Sequence, residues 1–258
     1  MSVYIQNFLK YRPLLEELVS RDVKIKYRNS VLGVLWTLLN PLLMMTVLSV
    51  VFSNLFKFDI ENFPLYLLSG QILFNFFNDA TTNAMSSIIG NASLIKKIYV
   101  PKYMFVLSRV FSSFINLMAS SIAFIIVMIV MRIELHWSVL LMWVPLVLIV
   151  FMTLGIGLIL AAITVKFRDV IHLYSVLMTV LFYLTPIIYP INILPVWIQK
   201  FVLLNPVTNV IIMFRDVVLN HRMFSMDVFV IAILETVLFL AVGIFIFYKK
   251  QDEFIMNL

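Results

Sequence analysis

Long apolar runs separated by short polar segments are the dominant pattern along this chain. Six runs reach the roughly 20 residues that a helix needs to cross the hydrocarbon core of a membrane. They lie at about residues 33–56, 64–90, 104–131, 138–164, 170–190 and 226–248. The runs lack the strict alternation typical of barrel strands, and lipid allows only helices or closed barrels to span it. The pattern therefore predicts an all-α integral membrane protein with six transmembrane helices.

An amphipathic segment precedes the first run. Residues 14–28 place several apolar side chains on one predicted helical face, with charged side chains largely elsewhere. The apolar side chains are Leu14, Leu15, Leu18, Val19 and Val23, and the charged ones include Glu16, Glu17, Arg21 and Asp22. Such a helix is expected to lie in the plane of the membrane interface. The helix either serves only to orient the protein or forms a cytoplasmic surface to which another protein binds. The pattern favours neither alternative.

The second run carries a line of polar side chains, here named the polar ridge. Its members follow one another at steps of four, three, four and four residues and so share one helical face. They are Gln71, Asn75, Asn78, Thr82 and Ser86, flanked by Asp79 and Asn83. Amides facing hydrocarbon are costly, so this face must meet other helices or water. Because the ridge extends over several turns, we favour a polar pathway over simple hydrogen bonding between helices.

Small residues at intervals of four indicate close helix packing in two other runs. Ser108, Ser112, Asn116 and Ser120 follow this spacing in the third run, and Gly157 and Ala161 follow it in the fourth.

The segment over residues 182–209, here named the outer segment, is apolar but rich in proline. Proline breaks a helix, yet the segment is too apolar for a free loop. We expect short broken helices that fold back into the outer leaflet, as an extracellular cap or as a gate. Its aromatic side chains fit a gate that stacks on a ligand, although for any single one of them the role of an interfacial anchor is favoured. The residues concerned are Pro186, Pro190, Pro195, Pro206, Tyr183, Tyr189 and Trp197.

Composition agrees with a membrane protein of one domain. The chain is 63% hydrophobic and 12% charged, whereas soluble domains carry about 25% charged residues. We expect a single permease domain over 1–258: an interfacial segment at 1–32, a helical bundle at 33–248 and a cytoplasmic tail at 249–258. The absence of cysteine excludes disulfides and cysteine metal sites. The first 30 residues hold no apolar core before a small-residue cleavage site, so no removable signal peptide is predicted.

The positive charges predict the orientation. With the N-terminus inside, thirteen Lys and Arg residues fall in inner segments and five in outer ones, which are Lys57, Arg132, Lys200, Arg215 and Arg222. Cations in short loops resist translocation, so both termini are expected in the cytoplasm. Inner cations next to a membrane meet anionic lipid head groups. We therefore expect the net charge of +6 to serve the membrane and not nucleic acid.

Several catalytic signatures are missing from the sequence. It has no GxxxxGK[ST] phosphate loop, and His136, His172 and His221 are too scattered to suggest a metal site. Carboxylates in outer segments read as solvated loop charges; they are Asp59, Glu61, Glu134, Asp216 and Asp227. Asp79 and Glu235 are expected at membrane depth without an evident cation partner, a weak case for a proton-coupled carrier.

The cytoplasmic connection, residues 90–103, suits a short helix that protrudes into a groove of a partner. It combines apolar Leu94, Ile95 and Ile98 with Lys96 and Lys97 and closes at Pro101. A chain with docking surfaces, a polar path and no nucleotide site requires an external source of energy.

Four blocks, considered together, resemble the membrane permease subunits of type-2 ABC exporters of cell-surface polysaccharide, which include O-antigen, capsule and teichoic-acid exporters. The blocks begin with "ELVSRDVKIKYRNSVLGVLWTLLNPLLMM" and "NASLIKKIYVPKY" and continue with "KFRDVIHLYSVLMTVLFYLTPIIYP" and "LLNPVTNVIIMFRD". The resemblance implies a homodimer in the cytoplasmic membrane, joined by two cytoplasmic ATPase subunits that carry ATP and magnesium. It implies no cofactor, metal or catalytic residue in this chain.

The resemblance also implies site residues. Its ATPase contacts correspond to residues 14–28 and 92–103, and its outer re-entrant helices to residues 186–209. We expect the ATPase interface to include Glu16, Glu17, Arg21, Asp22, Leu94, Lys96, Lys97 and Tyr99. The path of a lipid-linked polysaccharide would be lined by Gln71, Asn75, Asn78, Thr82, Tyr174, Tyr183 and Tyr189. Pro186, Pro190 and Trp197 would form the outer gate.

Two other functions stay open from the sequence. A type-2 exporter of small drugs or lipids would share the predicted fold, although the long polar ridge and the aromatic outer segment favour glycan. A membrane-embedded glycosyl- or acyltransferase would need carboxylates or a histidine that converge on one membrane face.

Overall fold

The structure, a computed structural model, describes residues 3–28, 30–56, 60, 62–134 and 136–257. The described part of the chain is built of helices and connecting turns and contains no β-strand. Twelve α-helices follow one another: α1 (Val3–Tyr27), α2 (Trp36–Phe56), α3 (Phe63–Met85), α4 (Ser87–Gly90), α5 (Ala92–Lys97), α6 (Tyr103–Val130), α7 (Trp143–Thr164), α8 (Val170–Leu184), α9 (Val196–Leu203), α10 (Pro206–Val218), α11 (Met226–Lys250) and α12 (Phe254–Asn257). The all-helical prediction is confirmed for these residues. Lys57, Asp59 and Glu61, which the sequence places in an outer loop, lie outside the described ranges.

Three helical segments of the described chain are long and apolar enough to cross a membrane. They are Tyr103–Val130, Trp137–Thr164 and Met226–Met256, while α9 and α10 pass the same test only as a pair bent by 95°. The apolar parts of α2 and α8 are shorter, and α3 does not qualify because the polar ridge lowers its hydropathy. Length and composition thus give three or four spans, fewer than the six predicted.

Helix α3 occupies the centre of the molecule, where it packs against α6 and α7. Its buried face includes Leu65, Leu68, Leu73 and Phe77, each no more than 3% exposed. The approach of α7 to α3 is close, because a Cβ on Gly157 would lie 2.8 Å from the Cβ of Ala84. This contact is the close packing predicted for Gly157.

Helices α7 and α11 approach each other even more closely through two glycines. A Cβ on Gly155 would lie 2.5 Å from the backbone of Phe239, and one on Gly243 would lie 2.3 Å from the carbonyl oxygen of Gly155. Real Cβ contacts do not occur at such distances, so only glycine allows the two backbones to meet here.

Helix α1 lies against α6 with its apolar face inward. Leu15 and Leu18 are buried, and Leu18 belongs to a cluster with Ile95, Phe105 and other side chains from the neighbouring helices. At the end of α1, the Tyr27 hydroxyl donates a 2.8 Å hydrogen bond to Oδ1 of Asn116 in α6. Burial raises the pKa of the Tyr27 phenol, and the nearby Asp79 carboxylate raises it further, so the hydroxyl keeps its proton for this bond.

The outer segment is broken into short helices, as its prolines predict. Helix α8 ends at Leu184, and Pro186 and Pro190 lie in the turns that follow. The side chain of Asn205 accepts a hydrogen bond from the Val207 amide, which caps the start of α10, and donates one of 2.8 Å to Thr185. The end of α8 and the start of α10 are thereby tied together.

Candidate functional site

Most side chains of the polar ridge on α3 are accessible at the surface of the single chain. Asn75 and Thr82 are exposed, Asn78 is half-buried, and Ser86 is exposed. Gln71 differs: its side chain is buried among core residues, and its Oε1 has no hydrogen-bond partner among the described residues. Four of the five predicted ridge members are therefore accessible in the single chain, whereas Gln71 faces the core.

A second polar line lies on α8, and the sequence analysis missed it. His172, Ser175, Thr179 and Tyr183 follow one another at steps of three, four and four residues, and all four are exposed. We name this line the α8 stripe. Its steps of three and four residues are like those of the polar ridge and are present in the sequence. The apolar residues between its members make the pattern harder to recognise.

Helices α3 and α8 are neighbours, and they meet through buried and aromatic side chains. The Tyr174 hydroxyl donates a 2.6 Å hydrogen bond to Oγ1 of Thr81, and the rings of Phe74 and Phe182 meet edge to face at 5.4 Å. Tyr174 is thus buried at the joint between the helices, not on an open path. Tyr183 is 66% exposed and remains available to a ligand.

Helix α8 has few contacts with the rest of the chain. Among its fifteen residues only Tyr174 and Met178 are buried. Its open side combines the polar α8 stripe with exposed Leu173, Val176 and Val180. A face of this composition suits either a protein partner or a water-filled space better than lipid.

A buried arginine organises the outer segment. The guanidinium of Arg215, on α10, donates to the carbonyl oxygens of Pro186 at 2.6 Å, Ile187 at 3.2 Å and Tyr66 at 2.9 Å. It also donates to Ser69 Oγ at 3.1 Å. The side chain of Tyr66 completes the arrangement, because its hydroxyl donates to the carbonyl oxygen of Tyr189 at 3.0 Å. Arg215 therefore clamps the broken end of α8 to α3.

The next residue corrects a prediction from the sequence. Asp216 was expected as a solvated loop charge, yet it is only 4% exposed, and Arg215, counted among the outer cations, is 6% exposed. The Asp216 carboxylate pairs with Arg222 at 2.6 Å. A charge next to a helix end can turn inward when carbonyls or an opposite charge satisfy it.

The predicted gate residues differ in their surroundings. Pro186 is buried beneath Arg215, Pro190 is half-buried, and Trp197 is 65% exposed with its ring 6.4 Å from that of Phe201. The Tyr189 hydroxyl donates to the carbonyl oxygens of Tyr183 and Leu184, so this side chain closes the turn after α8.

The two carboxylates expected at membrane depth both have partners. Lys26 of α1 lies 3.9 Å from the Asp79 carboxylate, and Asn209 donates a 3.0 Å hydrogen bond to Glu235. The cation beside Asp79 was not predicted, because Lys26 is 53 residues away in the sequence. The pairing weakens the case for a proton-coupled carrier.

A charge network joins α1 to the cytoplasmic connection and to α6. The buried Asp22 carboxylate lies 2.9 Å from Arg21 and 3.4 Å from Arg109. Arg21 also donates to Oδ1 of Asn91, at the start of α5. Asp22 was expected at the ATPase interface, but its side chain is buried and forms ion pairs within the chain.

The remaining predicted contact residues lie outward. Glu16 and Glu17 are exposed on α1, with Glu16 paired to Arg12 at 2.8 Å. On the cytoplasmic connection, Ile95 is buried and anchors α5, whereas Leu94 is half-buried. Lys96 and Lys97 are exposed, and Tyr99 is 93% exposed. The connection therefore presents exposed basic and aromatic side chains at the end of α5 and just after it.

Histidines and carboxylates do not gather into a metal-sized group within the described residues. His136 and His221, which are far apart in sequence, come within 6.0 Å between ring centroids at the outer side. No third ligand from a described His, Asp or Glu completes a site with them.

Comparison with known proteins identifies the family. The family model described as ABC-2 type transporter matches residues 13–219. The chain is 30% identical over 250 residues to an O-antigen export system permease protein of Klebsiella pneumoniae, covering 93% of each chain. It is 29% identical over 252 residues to an O-antigen export system permease protein of Myxococcus xanthus, covering 97% of each.

A more distant relative is also named as a polysaccharide export protein. The chain is 25% identical over 210 residues to the capsule polysaccharide export inner-membrane protein CtrC of Neisseria meningitidis serogroup B, covering 79% of this chain and 78% of the relative. With four-fifths of its length matched by the family model, the chain belongs to the ABC-2 type transporter family.

Proposed function

We propose that this chain is the transmembrane subunit of an ATP-driven exporter that moves lipid-linked polysaccharide across the cytoplasmic membrane. The observation that carries the proposal is the pair of open polar lines on adjacent helices, the polar ridge and the α8 stripe, in a chain of the ABC-2 family. The relatives named as O-antigen and capsule export proteins support glycan as the substrate class.

The path is proposed to run along the open side of α3 and α8. Asn75, Asn78 and Thr82 would exchange weak hydrogen bonds with sugar hydroxyls, and Tyr183 would stack on sugar rings. Gln71, Tyr174 and Tyr189 would instead stabilise the helices that carry these residues. Gln71 and Tyr174 are buried, and the Tyr189 hydroxyl is hydrogen-bonded to backbone carbonyls. Weak and repeated contacts suit a sliding polymer, because one tight site would hold it in place.

The functional unit is proposed to be a homodimer. The open side of α8 exposes His172, Ser175 and Thr179, and polar side chains facing lipid would be costly. A second copy across this side would enclose the two polar lines in a shared conduit. Apolar neighbours such as Leu173 and Val176 would supply the contact between subunits.

Two cytoplasmic ATPase subunits are proposed to bind α1 and the cytoplasmic connection. The exposed Lys96, Lys97 and Tyr99, on one side, and Glu16 and Glu17, on the other, offer charged and aromatic contacts. The sequence has no phosphate loop of its own, so ATP and its magnesium ion would bind to these partners. The chain itself would act as a permease and not as an enzyme.

The proposed topology has six spans with both termini in the cytoplasm. The shorter α2, α3 and α8 would join the three longer segments as spans, packed within the dimer. Helix α1 would lie at the inner interface, and α9 and α10 would form a re-entrant pair near the outer one. The sharp turn between α9 and α10 and the Arg215 clamp support a fold-back that does not cross the membrane.

The transport cycle follows from these assignments. Closure of the ATPase pair on ATP would push on α1 and the cytoplasmic connection and separate the two permeases. A lipid-linked glycan would enter from the inner leaflet and slide outward between the polar lines. The Tyr66 and Arg215 region would hold the outer segment in shape while the polymer passes.

Deleting the gene and staining surface polysaccharide tests the proposal. We expect loss of the surface polymer, accumulation of lipid-linked glycan inside the cell, and rescue by the intact gene. Unchanged surface polymer together with altered drug or lipid efflux would instead support a small-molecule exporter. Turnover of an activated sugar or acyl donor by the purified chain without an ATPase would establish a transferase.

A further inference from the structure

A polar recess lies between α1, α2, α3 and α6, beside the proposed path. Two cavities, of about 200 Å³ and about 420 Å³, share Lys26, Asp79, Ser113 and Asn116 in their walls and so form one recess. Asn75 lines the smaller cavity and belongs to the polar ridge as well, so the recess and the ridge are continuous. Its size is suited to a small polar ligand.

The walls of the recess carry balanced charge. The side chains of Lys26 and Asp79 are 47% and 51% exposed and lie 3.9 Å apart. The other charged pair in the lining is Asp22 with Arg109, at 3.4 Å. The formal charges of the four side chains cancel. A neutral ligand is therefore favoured over a free anion or cation, which would leave one wall charge unmatched.

The loose pair of Lys26 and Asp79 can accept a hydroxyl group between its members. At 3.9 Å the two groups are farther apart than in a close charge-assisted hydrogen bond. A hydroxyl both donates and accepts, so it can donate to the Asp79 carboxylate and accept from the Lys26 ammonium. The exposed amide of Asn75 lies in the same wall and offers both a donor and an acceptor.

An aromatic side chain completes the recess. Trp36, at the start of α2, lines the smaller cavity and is 47% exposed. The negative face of an aromatic ring attracts the polarised C–H groups of a sugar ring. A carboxylate, an ammonium, an amide and an indole thus surround one space, with hydrogen-bonding groups for the rim of a sugar and an apolar surface for its face.

We propose that this recess is a loading site for one neutral sugar ring of the lipid-linked glycan, occupied before the polymer enters the path. The inference rests on the proposed function, since it assumes a glycan substrate. Position supports it: α1 and the start of α2 form one side of the recess, and α1 is the helix on which the ATPase would act. Movement of α1 would open the recess and release the ring toward the polar ridge.

Fluorescence of Trp36 provides the test. The full chain carries Trp137→Phe, Trp143→Phe and Trp197→Phe, which leaves Trp36 as its single tryptophan. In lipid nanodiscs it is titrated with farnesyl diphosphate linked to N-acetylglucosamine, and separately with farnesyl diphosphate alone. We expect a saturable change of Trp36 emission with the sugar-bearing probe and at least about tenfold weaker binding without the sugar.

Substitutions at Asp79 and Asn75 separate a sugar site from an anion site. Asp79→Asn should weaken binding of the sugar-bearing probe by about tenfold, because a charge-assisted hydrogen bond becomes a neutral one. Asn75→Ala should weaken it as well. Asp227→Asn makes the same chemical change at the outer end of α11, far from the recess, and should leave binding unchanged.

Either of two results would overturn the inference. One is equal binding of the two probes. The other is tighter binding of both probes by Asp79→Asn, since Lys26 without its counter-charge would then be holding the diphosphate. Both results leave the proposed function standing as long as the gene is required for surface polysaccharide. Loss of that requirement would remove the proposed function itself.

Discussion

The guanidinium carbon of Arg215 lies 3.5 Å from the centroid of the Tyr66 ring. This contact joins α10 to α3, while the same guanidinium holds the carbonyl oxygens of Pro186 and Ile187. A glycine makes room for it, because a Cβ on Gly70 would lie 2.7 Å from Nη2 of Arg215. The broken end of α8 thus depends on one planar cation with several donors.

Replacing Arg215 with lysine should destabilise the protein although the charge is kept. An ammonium cannot reach the four oxygen acceptors and stack on Tyr66 at once, so buried carbonyls lose their donors, at a cost of about 3 kcal/mol. The check is the temperature at which the purified protein loses its monodisperse elution peak. Arg12→Lys, in an exposed ion pair with Glu16 on α1, should shift this temperature little. Equal shifts for the two variants would show that the clamp contributes nothing.

Adding a methyl group at Gly155 should disrupt the contact of α7 with α11. The new Cβ of Gly155→Ala would meet the backbone near Phe239 at 2.5 Å, so the helices must separate, at about 1–3 kcal/mol. Gly90→Ala is the matched control, because no atom lies within 4 Å of its Cβ position. Alanine also favours helix over glycine, so this control should be neutral or slightly stabilising. Thermal denaturation of both variants measures the difference.

Single cysteines should report water along the α8 stripe. The chain has no cysteine of its own, so each introduced thiol gives an unambiguous signal. We expect Ser175→Cys and Thr179→Cys to react with a charged thiol reagent in the assembled transporter, and to react faster while ATP is hydrolysed. Met178→Cys, on the buried side of the same helix, should react about tenfold more slowly. Equal protection of all three thiols would place the water-filled path elsewhere.

Cysteines on α8 should also detect the partner subunit. Leu173→Cys and Val176→Cys lie on the open side of the helix and should form disulfide-linked dimers when membranes are oxidised. Leu234→Cys and Leu238→Cys, exposed on α11, should stay monomeric if that helix faces lipid. The readout is a non-reducing gel. Cross-linking through α11 but not α8 would reverse the proposed arrangement of the two copies.

Reversing the charge of the cytoplasmic connection should uncouple the ATPase from export. With Lys96→Glu and Lys97→Glu, ATP hydrolysis should continue while surface polysaccharide falls. The reversed charges would no longer complement the surface of the ATPase partner. The double change Lys249→Glu and Lys250→Glu reverses the same charge at the end of α11 and should preserve export. Normal export by the first variant would remove the assignment of Lys96 and Lys97.

The sequence predicts the parts of the structure that follow a helical period. Leu15 and Leu18 of α1 were assigned correctly to the inner face, because their spacing fixes their side of the helix whatever packs there. Asn75 and Thr82 lie on an open side for the same reason. Gln71 shares their spacing but is only 3% exposed, because burial depends on the neighbouring elements as well as on the helical period.

Other features depend on contacts between distant residues, which a linear pattern does not contain. The burial of Arg215 was not predicted, because its acceptors include backbone carbonyls up to 149 residues away. Lys26 and Asp79 likewise meet only through the packing of α1 on the bundle. The α8 stripe was missed for a different reason. Its period is present in the sequence, but apolar residues separate its members.

The pairing of Asp22 with both Arg21 and Arg109 has a mechanical consequence. One carboxylate connects the N-terminal helix to α6, and Arg21 extends the connection to Asn91. A displacement of α1 by the proposed ATPase would therefore also act on α6 and on the start of α5.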